Sequence, residues 1–134
     1  MSATANLNAN PAPTLLVVDD EPIVATLMKR MLASRGEVVI RDDVDGAIEH
    51  LTSNTSVDLI LCDLTLRGGS GWNLYAWLSE HRPALLPRIA FITGGAYTPE
   101  AQDFLAHVQP PCLHKPFTRQ ELLEFADGLL SAQD

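Results

Sequence analysis

The chain has 134 residues and carries 17 Asp and Glu against 9 Lys and Arg, so its formal net charge is −8 with neutral histidines. This length suits one domain with a sizeable core. The acidic balance argues against a nucleic-acid-binding surface, which needs clustered Lys and Arg. No apolar run approaches the ~20 residues that cross a bilayer, so we expect a protein that does not span a membrane.

Residues 1–13 are rich in Ala, Asn and Pro, and they lack both the charged start and the apolar stretch of a signal peptide. We interpret them as a flexible N-terminal tail, and residues 14–131 as the folded domain. Cys62 and Cys112 lie in apolar runs without a CxxC partner. This pattern favours two small buried thiols in a reduced, cytoplasmic compartment.

Short apolar runs alternate with helical patterns along the folded domain. The first run, TLLVV, is continuous rather than alternating, which favours a strand buried on both faces of a sheet. The predicted strands are residues 14–18, 38–40, 59–62, 89–92 and 112–114.

A helical pattern follows each predicted strand. In the first helix Pro22 lies near the start, Gly36 marks the end, and the apolar positions are Ile23, Leu27, Met28, Met31 and Leu32. Later helices have capping signals at Ser70, at Thr98-Pro99 and in the Thr118-x-x-Glu121 capping box. The alternation predicts an α/β fold, (βα)₅, with a doubly wound five-stranded parallel sheet and helices on both faces.

Ligands of such sheets bind at the carboxyl ends of the strands, where this chain has a distinctive set of polar residues. Directly after the first, third, fourth and fifth predicted strands come Asp19-Asp20, Asp63, Thr93 and Lys115. Each alone suits a turn or a cap, but together they predict one site. Three carboxylates repel one another unless a hard divalent cation such as Mg²⁺ joins them. Attack of a carboxylate on phosphorus would then give an aspartyl phosphate on Asp63, with Lys115 neutralising charge.

With these residues the chain resembles the receiver domain of two-component response regulators, over residues 14 to 130. The resemblance rests on the acidic pair after LLVV, Asp63 in LILCDL, Thr93 after IAFI, and Lys115-Pro116-Phe117. It implies a flavodoxin-like sheet with strand order 2-1-3-4-5. It also implies a phosphorylation-dependent signalling switch rather than an enzyme, with a sensor histidine kinase or histidine phosphotransfer protein as phosphodonor and a downstream protein as target.

The resemblance also implies a role for each residue of the site. Asp63 is the phosphoacceptor. Asp20 and Asp63 bind Mg²⁺ directly, Asp19 assists through water, and the backbone carbonyl of Thr65 is a further ligand. Lys115 pairs with the phosphoryl group, Thr93 moves towards it, and the Lys115–Pro116 bond is cis.

Two positions depart from the family pattern. Arg67 stands where a proline usually follows the phosphoacceptor, which favours a more mobile loop, and Cys112 stands where an aromatic switch residue is common. Tyr97 is a candidate for part of that switching role, although an ordinary exposed loop tyrosine explains it as well. The stretch ITGGAYTPEAQDFL is most similar to receivers attached to hybrid sensor histidine kinases.

Two other functional classes remain open from the sequence. Haloacid dehalogenase-type phosphatases combine the same residue types, but they need a second acid two residues after the nucleophile, where this chain has Thr65. A protein-interaction module that is never phosphorylated is the other alternative, and the full acidic pocket argues against it.

Overall fold

A computed structural model describes residues 12–53, 56–66, 69–95 and 98–132. The β-strands are β1 Thr14–Val18, β2 Glu37–Arg41, β3 Leu59–Asp63, β4 Thr65–Leu66, β5 Gly69–Ser70, β6 Ile89–Thr93 and β7 Cys112–His114. The α-helices are α1 Pro22–Leu32, α2 Val44–Ser53, α3 Gly71–His81, α4 Pro99–Val108 and α5 Arg119–Ser131, and a 3₁₀-helix spans Pro83–Arg88.

Five strands form one parallel sheet in the order β2-β1-β3-β6-β7. The predicted doubly wound α/β sheet and its order 2-1-3-4-5 are thereby confirmed, because β6 and β7 are the fourth and fifth of the predicted strands. The order reverses after β2, so the crevice at the carboxyl ends of β1 and β3 is the place where such sheets bind ligands.

The sheet is buried on both faces, as continuous apolar strands require. Alternate residues of β1 and β3 enter two separate core clusters. One cluster packs under α2, α3 and α4 and includes Cys62 and Phe91. The other packs under α1 and α5 and includes Met28 and Leu122. The central strands are thus held from both sides, which gives the residues at their ends a rigid support.

The helices begin where capping chemistry predicts. Thr98 Oγ1 accepts the Ala101 N–H at 3.1 Å at the start of α4. Thr118 and Glu121 form the predicted reciprocal capping box at the start of α5. At α3 the Ser70 N–H donates to Asn73 Oδ1 at 2.9 Å. These side chains satisfy backbone groups that have no partner within the helix.

Some details differ from the sequence-based expectations. The antiparallel pair β4–β5 and the 3₁₀-helix were not predicted. Of the apolar positions in α1, Met28 and Leu32 are buried, whereas Ile23 is 84% exposed and Leu27 is 48% exposed. The prediction of two buried thiols is right for Cys62 and wrong for Cys112, which is half-buried because it lies on the edge strand β7.

Candidate functional site

The polar strand ends converge on the carboxyl edge of the sheet. Asp19 follows β1, Asp63 ends β3, Thr93 ends β6 and Lys115 follows β7. Parallel strands in adjacent positions bring their ends together without further help. Asp19, Asp63 and Thr93 are the buried polar residues of the described chain, with exposed fractions of 2%, 7% and 3%.

Lys115 is the centre of the ion pairs at this edge. Its Nζ lies 2.9 Å from Asp63 Oδ2, 3.4 Å from Glu21 Oε1 and 3.7 Å from Asp19 Oδ2. Burial would lower the pKa of Lys115, but its hydrogen bond to Asp63 and the charges of Asp63 and Asp19 outweigh this and raise the pKa above its usual value. The ammonium therefore stays protonated beside the carboxylates at neutral pH.

Asp19 is the most deeply buried of the acids. Its Oδ1 accepts the Glu21 N–H at 2.9 Å, while its buried Oδ2 has no hydrogen-bond partner in the described part of the chain. Burial raises the pKa of the Asp19 carboxyl, and the hydrogen bond from the Glu21 N–H offsets part of this rise. A buried acceptor without a donor is costly, so this atom is a candidate ligand for a cation.

The acid cluster has the composition and spacing of a cation site. Asp19, Asp20 and Asp63 each offer one carboxylate oxygen, and these oxygens lie within 4.8 Å of one another. Oxygen donors of this kind suit a hard divalent cation such as Mg²⁺. With Asp19 Oδ2, which accepts no hydrogen bond from the described residues, the donor set fits the predicted metal. The Thr65 N–H donates to Asp63 Oδ1 at 3.1 Å, while a ligand role for its carbonyl stays a prediction.

Thr93 is linked to the site through both its side chain and its backbone. Its Oγ1 accepts the Gly95 N–H at 3.1 Å, and its carbonyl accepts the Lys115 N–H at 2.8 Å. A Cβ added at Gly94 or Gly95 would meet no atom of the described residues within 4 Å. The two residues after Thr93 therefore have room around them among the described residues.

The remaining features of the predicted site have mixed outcomes. The Lys115–Pro116 peptide bond is cis, as the resemblance implies. Cys112 lies on β7, where its register partner is Phe91. The departure at Arg67 and the candidate role of Tyr97 lie outside the described residues. The sequence places Glu21 next to the acidic pair, but gives no sign that its carboxylate contacts Lys115.

Comparisons with known proteins identify the family of the chain. A family model described as "Response regulator receiver domain" matches residues 15–127. The chain belongs to this family. The receiver domain is 27% identical over 117 residues to the "Sensor protein GacS" of Pseudomonas syringae pv. syringae and to the "Sensor histidine kinase GacS" of Pseudomonas protegens. Each match covers 84% of this chain and 13% of the relative, so the chain spans about an eighth of their length.

Solved structures support the same assignment. A response regulator receiver protein from Sinorhizobium medicae is 28% identical, has a TM-score of 0.75, and is matched over 92% of this chain and 98% of its own. One from Pseudomonas putida is 27% identical, has a TM-score of 0.77, and is matched over 90% and 99%. In the described part of the receiver domain, no helix has the length and apolar character needed to cross a bilayer.

Proposed function

We propose that the receiver domain is a phosphorylation switch in which Asp63 accepts a phosphoryl group from a histidine of its phosphodonor. The observation that carries the proposal is the 2.9 Å contact between Lys115 Nζ and Asp63 Oδ2, within a cluster of three acids of which two are buried. A protonated lysine against one carboxylate, with further carboxylates able to hold a cation, is the charge arrangement that phosphoryl transfer needs.

In the proposed transfer, one Asp63 carboxylate oxygen attacks the phosphorus atom. The P–N bond to the donor imidazole breaks, the ring nitrogen keeps the electron pair, and an acyl phosphate forms on Asp63. The Lys115 ammonium remains protonated and offsets the growing charge on the phosphoryl oxygens. In the reverse direction of the switch, attack of water on phosphorus breaks the new P–O bond, restores the carboxylate, and releases inorganic phosphate that carries away both protons of the water.

We propose that Asp19, Asp20, Asp63 and the backbone carbonyl of Thr65 hold Mg²⁺, with Asp19 acting through water. The ion would supply Lewis-acid charge neutralisation at the phosphoryl oxygens. Asp19 Oδ2 accepts no hydrogen bond from the described residues, and the carboxylate oxygens lie within 4.8 Å of one another; both observations support this assignment.

Thr93 is proposed to report the modification to the rest of the domain. Its hydroxyl would donate a hydrogen bond to a phosphoryl oxygen, in exchange for the bond that its Oγ1 now accepts from Gly95. Because the Thr93 carbonyl also accepts the Lys115 N–H, such a movement would be felt by the loop after β7. A protein-binding surface at that side of the domain would then change its shape for a downstream target.

The partner that supplies the phosphoryl group is proposed to be a sensor histidine kinase or a histidine phosphotransfer protein, in the cytoplasm. Kinase relatives that match this chain favour such a donor. Ile23 and Leu27 are the large apolar side chains that α1 leaves exposed, and α1 begins just after the acidic pair. A protein that brings its histidine to Asp63 would meet this helix, so the pair is proposed to contact the phosphodonor.

The proposal is tested by incubating the chain with acetyl phosphate and Mg²⁺ and measuring its intact mass. We expect the wild type to gain the mass of one phosphoryl group and Asp63→Ala to gain none. Asp103→Ala is the matched control, because Asp103 is an exposed aspartate on α4, and it should be labelled like the wild type. An unchanged wild-type mass, or a gain that persists in Asp63→Ala, would refute phosphorylation at Asp63.

A further inference from the structure

We infer that Glu21 is a positioning and donor-selecting residue that holds Lys115 and disfavours strongly anionic small phosphodonors. This inference rests on the proposed phosphorylation of Asp63, but it concerns a different side chain and a different measurement. Its basis is the 3.4 Å contact between Glu21 Oε1 and Lys115 Nζ, across 94 positions of sequence.

The position of Glu21 directly before α1 makes this contact informative. Glu21 is the N-cap residue of α1, where Ser, Thr, Asp and Asn are preferred because their short side chains bond to the first turn. The Glu21 side chain makes no such capping bond. It reaches Lys115 instead, so its carboxylate belongs to the site rather than to the helix.

The contact makes Glu21 one of several acids that form ion pairs with the Lys115 ammonium. Lys115 Nζ is 2.9 Å from Asp63 and only 0.5 Å farther from Glu21. The Lys115 side chain is 23% exposed and that of Glu21 is 57% exposed, so Glu21 occupies the solvent side of the ammonium. An incoming phosphoryl group must therefore displace this carboxylate, or approach alongside it, before it can pair with Lys115.

The charge at the mouth of the site adds to this competition. Carboxylates of Asp19, Asp63 and Glu21 lie within 3.7 Å of Lys115 Nζ, and an Asp20 oxygen lies within 4.8 Å of oxygens of Asp19 and Asp63. The two residues that follow Thr93, Gly94 and Gly95, carry no side chain. Glu21 is thus the exposed acid of the cluster, and a highly charged donor is repelled by it more than a donor of lower charge.

The experiment compares initial phosphorylation rates of the full chain with acetyl phosphate and with phosphoramidate, which carries less negative charge at neutral pH. Glu21→Gln keeps the size and removes the charge. We expect it to raise the rate with acetyl phosphate about 3- to 10-fold and the rate with phosphoramidate about 2-fold or less. The difference between the variant and the wild type should shrink in high salt, because screening weakens an exposed charge.

Two further variants separate charge at this position from other effects. Glu21→Asp keeps the charge and should stay closer to the wild-type donor ratio than Glu21→Gln. Glu37→Gln removes an equal exposed charge at the start of β2, which is the edge strand on the other side of the sheet from β7. This variant should leave the donor ratio unchanged. Thermal unfolding of each variant checks that the α1 start is intact.

An unchanged donor ratio in Glu21→Gln would overturn the inference, as would an equal change in Glu37→Gln or a difference that persists in high salt. None of these results would touch the proposed function, because the wild type would still be phosphorylated on Asp63. A wild type that accepts no phosphoryl group from either donor would overturn the proposed function, and the inference with it.

Discussion

Replacing Asp19 by Asn tests whether the cluster of Asp19, Asp20 and Asp63 forms a cation site at the cost of stability. The substitution removes one charge and keeps the shape of the side chain. The Asn Oδ1 can still accept the Glu21 N–H that Asp19 Oδ1 accepts at 2.9 Å. We expect the variant to be more stable than the wild type without Mg²⁺ and to lose most of the stabilisation that Mg²⁺ provides.

The size of the effect follows from the distances. The carboxylate oxygens of the cluster lie within 4.8 Å of one another, so each repulsion on Asp19 is at least about 3.5 kcal/mol at an effective dielectric constant of about 20. The attraction to Lys115 Nζ at 3.7 Å is about 4.5 kcal/mol on the same scale. Repulsion from both Asp20 and Asp63 therefore exceeds the attraction. After solvent screening we expect a gain of about 1–2 kcal/mol in the free energy of unfolding.

The pH dependence has a definite sign. Burial raises the pKa of Asp19 in the folded state above its unfolded value, so the folded protein binds this proton more tightly than the unfolded chain does. The Asp19 contribution to stability therefore falls as the pH rises from the unfolded pKa to the raised folded pKa. The advantage of the Asn variant should be full at neutral pH and should disappear in acid.

The assay is urea unfolding followed by Trp72 and Trp77 fluorescence, with EDTA or with millimolar Mg²⁺. Mg²⁺ at about 100 times its dissociation constant would stabilise the wild type by about 2.7 kcal/mol, and the Asn variant by much less. Asp103→Asn makes the same charge change on an exposed face of α4 and should behave like the wild type. The reasoning is refuted if Asp19→Asn is no more stable in EDTA, or gains as much from Mg²⁺ as the wild type.

Three further predictions test packing, an ion pair and the phosphodonor surface. Gly71→Ala should destabilise by about 1–3 kcal/mol in urea, because its Cβ would lie 2.7 Å from a ring carbon of Phe91; a smaller loss would show that the ring moves aside. The hydrogen bond from Arg35 lowers the pKa of Asp127, so the stability lost in Asp127→Asn should be present above the unfolded pKa and vanish as the pH falls through the lowered folded value. Thermal melts across acid pH measure this, and a pH-independent loss would contradict it. Ile23→Ser should slow transfer from a histidine-phosphorylated partner about fivefold or more and leave labelling by acetyl phosphate unchanged; slowing of both would instead indicate damage to the site.

Much of the fold could be predicted because each strand stops where its apolar run stops. Asp63 and Thr93 each end a buried strand, and parallel pairing then brings these ends together. The same reasoning could not find β4 and β5, since two residues carry no periodic pattern. It also could not find the 3₁₀-helix Pro83–Arg88, because its two prolines argue against an α-helix.

Periodicity also fails to say which of two apolar faces a helix buries. In α1 the apolar positions cover more of the circumference than the sheet can contact, so Met28 is buried while Ile23 is exposed. Glu21 was beyond prediction for a related reason. Its N-cap position suggests a bond to the helix, whereas its carboxylate contacts Lys115, which follows the last strand. Contacts between residues so far apart depend on side-chain conformations that the sequence pattern does not specify.

Asp19 and Glu21 both contact the Lys115 ammonium, but they differ in how easily each can give up that contact. Asp19 is buried, so moving away from Lys115 would leave its negative charge without a compensating cation beside Asp63. The Glu21 side chain is exposed to solvent, so it can turn away from Lys115 at little cost in free energy. A phosphoryl group on Asp63 would add negative charge beside Lys115. The contact of Lys115 with Glu21 should therefore break before its contact with Asp19. We expect the separation of the Glu21 side chain, at the start of α1, from Lys115 to be the first structural change after phosphorylation.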